Sequence, residues 1–215
     1  MGTARYAPDF VSIPTYGDQR NVAIGLLGGS FNPAHPGHLQ LARYALRHLK
    51  LDQVWLMVSP GNPLKARAGM APFVDRLASA RMIADGRRII ATDIESRLHR
   101  RYTVETVALL RQRFPRARFV WLMGADGLAS FTRWRRWRKL AHLVPIVVVP
   151  RPGSNVSALT GKAAHVLGHF RQPACRAPIL KFYKGNAWTF LPAPQNGISA
   201  TALRDLGQYP AAASS

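Results

Sequence analysis

Short apolar runs alternate with segments of helical length along this chain, and that alternation fixes the fold class before any motif is considered. Val22–Leu27 (VAIGLL), Val54–Val58 (VWLMV), Arg88–Thr92, Ala117–Met123 (ARFVWLM), Ile146–Val149 and Ala187–Leu191 (AWTFL) have the length and apolar content of buried strands. After the first run, Leu41, Ala42, Ala45, Leu46 and Leu49 recur at helical spacing. Pro36 suits the first helical position, where its missing N–H removes no hydrogen bond. Further helices are predicted over Phe73–Ala84, Thr103–Arg113 and Leu128–Ala141. Strands joined by helices of roughly 10–15 residues predict βαβ units with right-handed crossovers. The expected architecture is α/β: a doubly wound, mostly parallel sheet. The basic stretch from Arg151 to Lys184 predicts only a helix over Thr160–Leu167, and Ser199–Leu206 predicts a short closing helix capped by Ser199.

Composition narrows the class further. The 215 residues suit one domain, expected over 21–208 with a loosely ordered extension at 1–20 and a tail at 209–215. The longest apolar run, Leu143–Val149, contains Pro145 and is far shorter than the ~20 residues needed to span a bilayer. Residues 1–20 lack the apolar core and cleavage site of a secretory signal, so the cytoplasm is the expected location. The single cysteine, Cys175, has no partner for an internal disulfide or for the paired thiolates of a zinc site. Thirty Lys and Arg against ten Asp and Glu give a net charge of +20. That excess favours polyanionic partners: DNA, RNA, an anionic membrane or phosphorylated metabolites.

The first motif is Gly28-Gly29-Ser30-Phe31-Asn32-Pro33-Ala34-His35-Pro36-Gly37-His38-Leu39, between the first strand and the first helix. In open α/β sheets ligands bind beyond the carboxyl ends of the strands, and a helix N-terminus offers N–H groups and partial positive charge to an anion. Glycines let the backbone approach a ligand, and His35 and His38 are placed to project toward one phosphate. The second motif is Ile198-Ser199-Ala200-Thr201-Ala202-Leu203-Arg204. Ser199 at the cap, Thr201 in the first turn and Arg204 beyond it are all within reach of one oxyanion. Other chemistries have no footing. G-x-G-x-x-G, the P-loop, H-E-x-x-H and G-x-S-x-G are all missing, and ten scattered carboxylates do not suggest a dedicated metal cage. Any Mg2+ is expected to arrive with the phosphates of its nucleotide.

Together these motifs resemble the H-x-G-H and I-S-x-T-x-x-R signatures of the nucleotidylyltransferase superfamily. Ser59-Pro60-Gly61-Asn62-Pro63-Leu64-Lys65, Tyr102-Thr103-Val104-Glu105-Thr106, and Gly124-Ala125-Asp126 with Phe131 and Trp134 resemble its bacterial nicotinate-nucleotide adenylyltransferase branch. The resemblance covers roughly residues 22 to 206 and implies a Rossmann-like nucleotidylyltransferase fold. It implies transfer of AMP from ATP to nicotinate mononucleotide, giving deamido-NAD and pyrophosphate.

Carried over by position, the resemblance implies that His35, His38 and Arg204 are catalytic. ATP would be held by Gly28, Gly29, Ser30, Phe31, His35, His38, Gly124, Asp126, Ile198, Ser199, Thr201 and Arg204, with Asp126 on an adenosine ribose. The mononucleotide would be held by Ser30, Phe31 and Lys65, with Thr103 receiving the nicotinate carboxylate and Trp134 stacking on the pyridine ring. Two positions depart from the family pattern: Asn32 stands where many members have Asp, and Ala200 where many have a second Ser.

Alternatives follow from the same residues. A related transferase would use nicotinamide mononucleotide or phosphopantetheine as acceptor. A basic nucleic-acid-binding module would use the interleaved cations and aromatics of Arg133-Trp134-Arg135-Arg136-Trp137-Arg138-Lys139. Read as plain structure, Phe131, Trp134 and Trp137 form one buried helix face.

Overall fold

The computed structural model describes residues 13–61 and 69–193. The chain runs through β1 (Ala23–Gly29), α1 (Pro36–His48), β2 (Gln53–Val58), α2 (Phe73–Ile83), β3 (Ile89–Thr92), α3 (Ile94–Arg97) and α4 (Thr103–Arg113). It continues through β4 (Arg118–Gly124), α5 (Ala125–Ala129), a 3-10 turn at Phe131–Arg133, α6 (Trp137–Leu143), β5 (Ile146–Val149), α7 (Asn155–Thr160), α8 (Lys162–Val166), 3-10 turns at Gly168–Phe170 and Ala174–Phe182, and β6 (Trp188–Phe190). The sheet has six strands in the order β3-β2-β1-β4-β5-β6, every pair parallel.

Alternate side chains of each strand point to opposite faces, so both faces must be covered. Ile24, Leu26, Trp55, Met57, Trp121 and Ile146 pack with α4, α5 and α6 on one side. Ala23, Leu27, Val54, Leu56, Leu122 and Val147 pack with α1, α2 and the 174–182 turns on the other. β1 lies between β2 and β4, where the winding reverses, and the crevice beyond its carboxyl end is the place a doubly wound sheet reserves for a ligand.

The expected strands appear within a residue or two of their predicted ends, and α4 matches its prediction. The helix expected over Leu128–Ala141 does not form as one piece. Ser130 ends α5 by donating its hydroxyl to the Asp126 carbonyl, and Arg136 takes a left-handed conformation (φ 51°) just before α6. The extension expected to be loose is docked where it is described. Ile13 is buried in the core, Arg113 donates to the Thr15 carbonyl, and a Cβ on Gly17 would overlap the Arg113 backbone. Among the described residues no helix is long and apolar enough to cross a membrane.

Candidate active site

The 28–39 motif occupies the turn from β1 into α1, at the reversal point of the sheet. Phe31 reaches the left-handed region (φ 48°), uncommon for a side chain of its size, and is held there by burial of its ring. A Cβ on Gly28 would come within 2.6 Å of the Trp121 indole, so this glycine is required by packing against β4. His35 is the N-cap of α1 and Pro36 follows at its start. Its Nδ1 accepts the Gly37 N–H at 3.2 Å, while His38 Nδ1 accepts the His35 N–H at 3.2 Å, a reciprocal capping box built from two imidazoles.

This cap fixes the tautomers. A backbone N–H is always a donor, so each Nδ1 must be the unprotonated acceptor and each neutral ring carries its proton on Nε2. Burial, followed by the positive charge of Arg151, lowers the His35 pKa from 6.5 to about 4. At neutral pH His35 is therefore an uncharged N–H donor. The two rings lie 3.8 Å apart between centroids, and Phe31 lies 4.8 Å from His38.

Helix α2 supports the turn from outside. Ala34 N–H donates to the Ser79 hydroxyl at 3.1 Å. Asn32 is buried and uses both ends of its amide on a neighbouring segment, donating to the Gly69 carbonyl at 2.9 Å and accepting the Ala71 N–H at 3.0 Å. An aspartate has no proton to offer Gly69 once ionised, which accounts for the amide at this position. Arg76 is 3% exposed. It donates to the carbonyls of Ser30 (2.7 Å), Ser59 (2.8 Å), Pro60 (3.4 Å) and Ala71 (3.0 Å).

The opposite side of the crevice is formed by the ends of β4 and β5. A Cβ on Gly124 would overlap Asp126 and Arg151, so the missing side chain lets both lie across the strand end. Asp126 is exposed, with Arg151 Nε 4.0 Å from its carboxylate. Gly37, Gln40, Tyr44, Val149, Arg151 and Ala193 line an open cleft between α1 and β5. Tyr44, on this lining, donates its hydroxyl to the Pro192 carbonyl.

Thr103 is the first residue of α4, behind an N-cap, Tyr102, that makes no side-chain cap bond. Trp134 stands on the turn before α6, half-buried and edge-on to Trp121 (6.0 Å) and Phe131 (5.4 Å). Trp137 also meets Phe131 edge-on, at 5.7 Å. Phe131, Trp134 and Trp137 thus form a cluster around Phe131 rather than one helix face, because the chain turns at Arg136. Arg135 lies over the Tyr102 ring at 4.8 Å and ties this turn to the start of α4.

Phe31, His35 and His38 meet ring to ring in the turn that Gly28, Gly29 and Ser30 begin, and Arg151 lies beside Gly124 and Asp126 with its charge felt at His35. Lys65, Ile198, Ser199, Thr201 and Arg204 lie outside the described residues. Arg151, Arg76 and Tyr44 were not singled out from sequence. Arg151 was open to discovery as a cation just past the carboxyl end of a parallel strand, the usual ligand side of such sheets. Nothing in the sequence marks Arg76 as buried.

A pair of imidazoles thus caps α1 at the reversal point of a parallel sheet, the place where such sheets receive ligands. The cytidylyltransferase-like family model matches residues 26–206. A protein of Gluconobacter oxydans (strain 621H) named "Probable nicotinate-nucleotide adenylyltransferase" is 72% identical over 86% of this chain and 95% of its own. One of the same name from Gluconacetobacter diazotrophicus is 64% identical over 90% of each chain. The solved Plasmodium falciparum nicotinic acid mononucleotide adenylyltransferase complexed with NaAD has the same fold, with a TM-score of 0.63 at 15% identity over 86% of this chain and 83% of its own. The chain belongs to the nicotinate-nucleotide adenylyltransferase family.

Proposed function

We propose that this chain transfers the adenylyl group of ATP to nicotinate mononucleotide, releasing pyrophosphate and forming deamido-NAD for NAD biosynthesis, in the cytoplasm. The names of its relatives support this reading, and the observation that carries it is the capping box of His35 and His38 at the start of α1. A phosphate oxygen of the mononucleotide attacks the α-phosphorus of ATP in line. The new P–O bond forms as the bond to the bridging oxygen breaks, and that oxygen leaves with the pyrophosphate. The nucleophile is already ionised at neutral pH, so no general base is required.

Catalysis then rests on positioning and on donors aimed at the growing negative charge. The Nε2–H groups of His35 and His38 supply those donors, and the dipole of α1, whose first N–H groups are spent on its own cap, adds partial positive charge. Keeping His35 neutral has a physical merit: a proton fixed on Nε2 donates without being lost to the phosphate. Mg2+ belongs to the substrate in this reading, carried on the ATP phosphates. The cleft between α1 and β5 takes the adenosine, with Asp126 on its ribose, and Trp134 and Thr103 serve the pyridine ring and its carboxylate.

Ser199, Thr201 and Arg204 are assigned to the triphosphate from the opposite side. The test is a panel of acceptors in a pyrophosphate-release assay: nicotinate mononucleotide, nicotinamide mononucleotide and phosphopantetheine. Preference for the first is expected; preference for either other acceptor refutes the assignment.

A further inference from the structure

We infer that Arg76 is a positioning residue for the acceptor nucleotide, fixing the ends of β1 and β2 as one wall of the site without touching either substrate. The inference rests on the functional reading above and adds to it a residue that neither motif contains.

Four carbonyl oxygens converge on this guanidinium from three separate stretches of chain. Ser30 comes from just past β1, Ser59 and Pro60 from just past β2, and Ala71 from the approach to α2. The Phe73 ring lies against the guanidinium, 5.4 Å from ring centroid to Cζ. The planar fork of arginine can serve such divergent acceptors at once, whereas the point charge of lysine cannot. The arrangement also has an electrostatic consequence. Carbonyls at the ends of parallel strands would turn partial negative charge toward a phosphorylated ligand, and here they are turned onto a buried cation instead.

The location decides which substrate depends on it. The cleft lined by Gly37, Tyr44 and Arg151 lies on the β5 side of α1, and the proposed reading gives it to ATP. Arg76 works on the other side, where β2 neighbours β1. The start of α1 has its own support from the Ser79 hydroxyl on Ala34 N–H. Ser30 serves both nucleotides in that reading, but Ser59 and Pro60 lie only on the β2 side, so loss of the fork slackens that side most while the α1 cap and the β5 side, which hold ATP, keep their own anchors.

The experiment compares wild type with Arg76→Lys and Arg76→Gln by pyrophosphate-release kinetics, circular dichroism and amide hydrogen exchange. We expect at least one variant to fold. In it KM for nicotinate mononucleotide rises about tenfold or more while KM for ATP stays within about threefold, with Lys less impaired than Gln. Exchange should quicken at the Ala71 amide, which bonds Asn32, and not at the His38 amide within the α1 cap. Equal rises in both KM values, a lower kcat with both KM values unchanged, exchange unchanged at Ala71, or loss of fold in both variants overturns the inference. A wild-type enzyme that does not use nicotinate mononucleotide refutes the functional reading instead, and the exchange measurement still judges the clamp.

Discussion

His38 Nδ1 accepts the backbone N–H of His35 while His35 Nδ1 accepts the N–H of Gly37, so the two imidazoles hold each other in one tautomer at the mouth of α1. Each ring thereby spends one nitrogen on structure and keeps the other for chemistry. His38→Ala removes an N–H donor without opening the core. Turnover is expected to fall by about 10²–10³, the usual effect of losing one oxyanion donor. Steady-state kinetics at saturating substrates check this, and near-normal kcat would show that the ring does not act on the transition state.

The depressed pKa of His35 sets a pH dependence of stability. Its folded pKa of about 4 lies below the ordinary 6.5, so the unfolded chain binds the extra proton more readily. The contribution is complete above pH 6.5 and is lost as pH falls from there toward 4, a change of about 3 kcal/mol at most. His35→Asn keeps an N-capping side chain but does not titrate. Urea unfolding at pH 7 and pH 4 should show a smaller loss for the variant than for wild type.

Glu95 works in the opposite direction. Burial, partly offset by a hydrogen bond from Thr106, raises its carboxyl from 4.5 to about 7. Its favourable share of stability is present below pH 4.5 and is lost as pH rises through 7. Glu95→Gln should therefore raise the unfolding free energy at pH 8, by on the order of 2 kcal/mol, and change little at pH 4. Thermal melts at the two pH values measure the difference directly.

Asn32 offers a test of the amide. In Asn32→Asp the group facing the Gly69 carbonyl loses its donor, leaving two acceptors opposed in a buried place. The expected cost is about 1–3 kcal/mol of stability. Denaturation midpoints above pH 6, where the carboxylate is ionised, will reveal it. A variant as stable as wild type would mean that the segment at Gly69–Ala71 is held by other contacts.

Trp134 is half-exposed on a cluster of three other aromatic rings, which suits a platform with a rigid back. Trp134→Ala is expected to weaken nicotinate mononucleotide by roughly 1–3 kcal/mol, as loss of base stacking does, and to leave ATP affinity largely intact. Titration calorimetry with each nucleotide separates the two. Equal weakening of both would point to collapse of the aromatic cluster.

Much of this was legible in residue order. The strand VAIGLL, the glycine turn after it and Pro36 at the head of a helix are local signals, because strand burial, turn geometry and helix initiation each depend on neighbours only a few positions away. The segment from Leu128 to Ala141 was misleading for the same reason. Its spacing suited one helix, but the Phe131 cluster and the left-handed Arg136 arise from packing against β4 and α4, which no local pattern reports.

The sequence by itself determined the parallel α/β class and the pairing of two histidines with a helix start, since periodicity and capping are written in short windows. Tertiary structure alone decided the rest. It buried Arg76 under strand ends drawn from distant parts of the chain, and it buried His35, with the charge of Arg151 as a lesser aid, and so kept that imidazole neutral. Solvent exclusion and the field of remote charges exist only once the layers have closed.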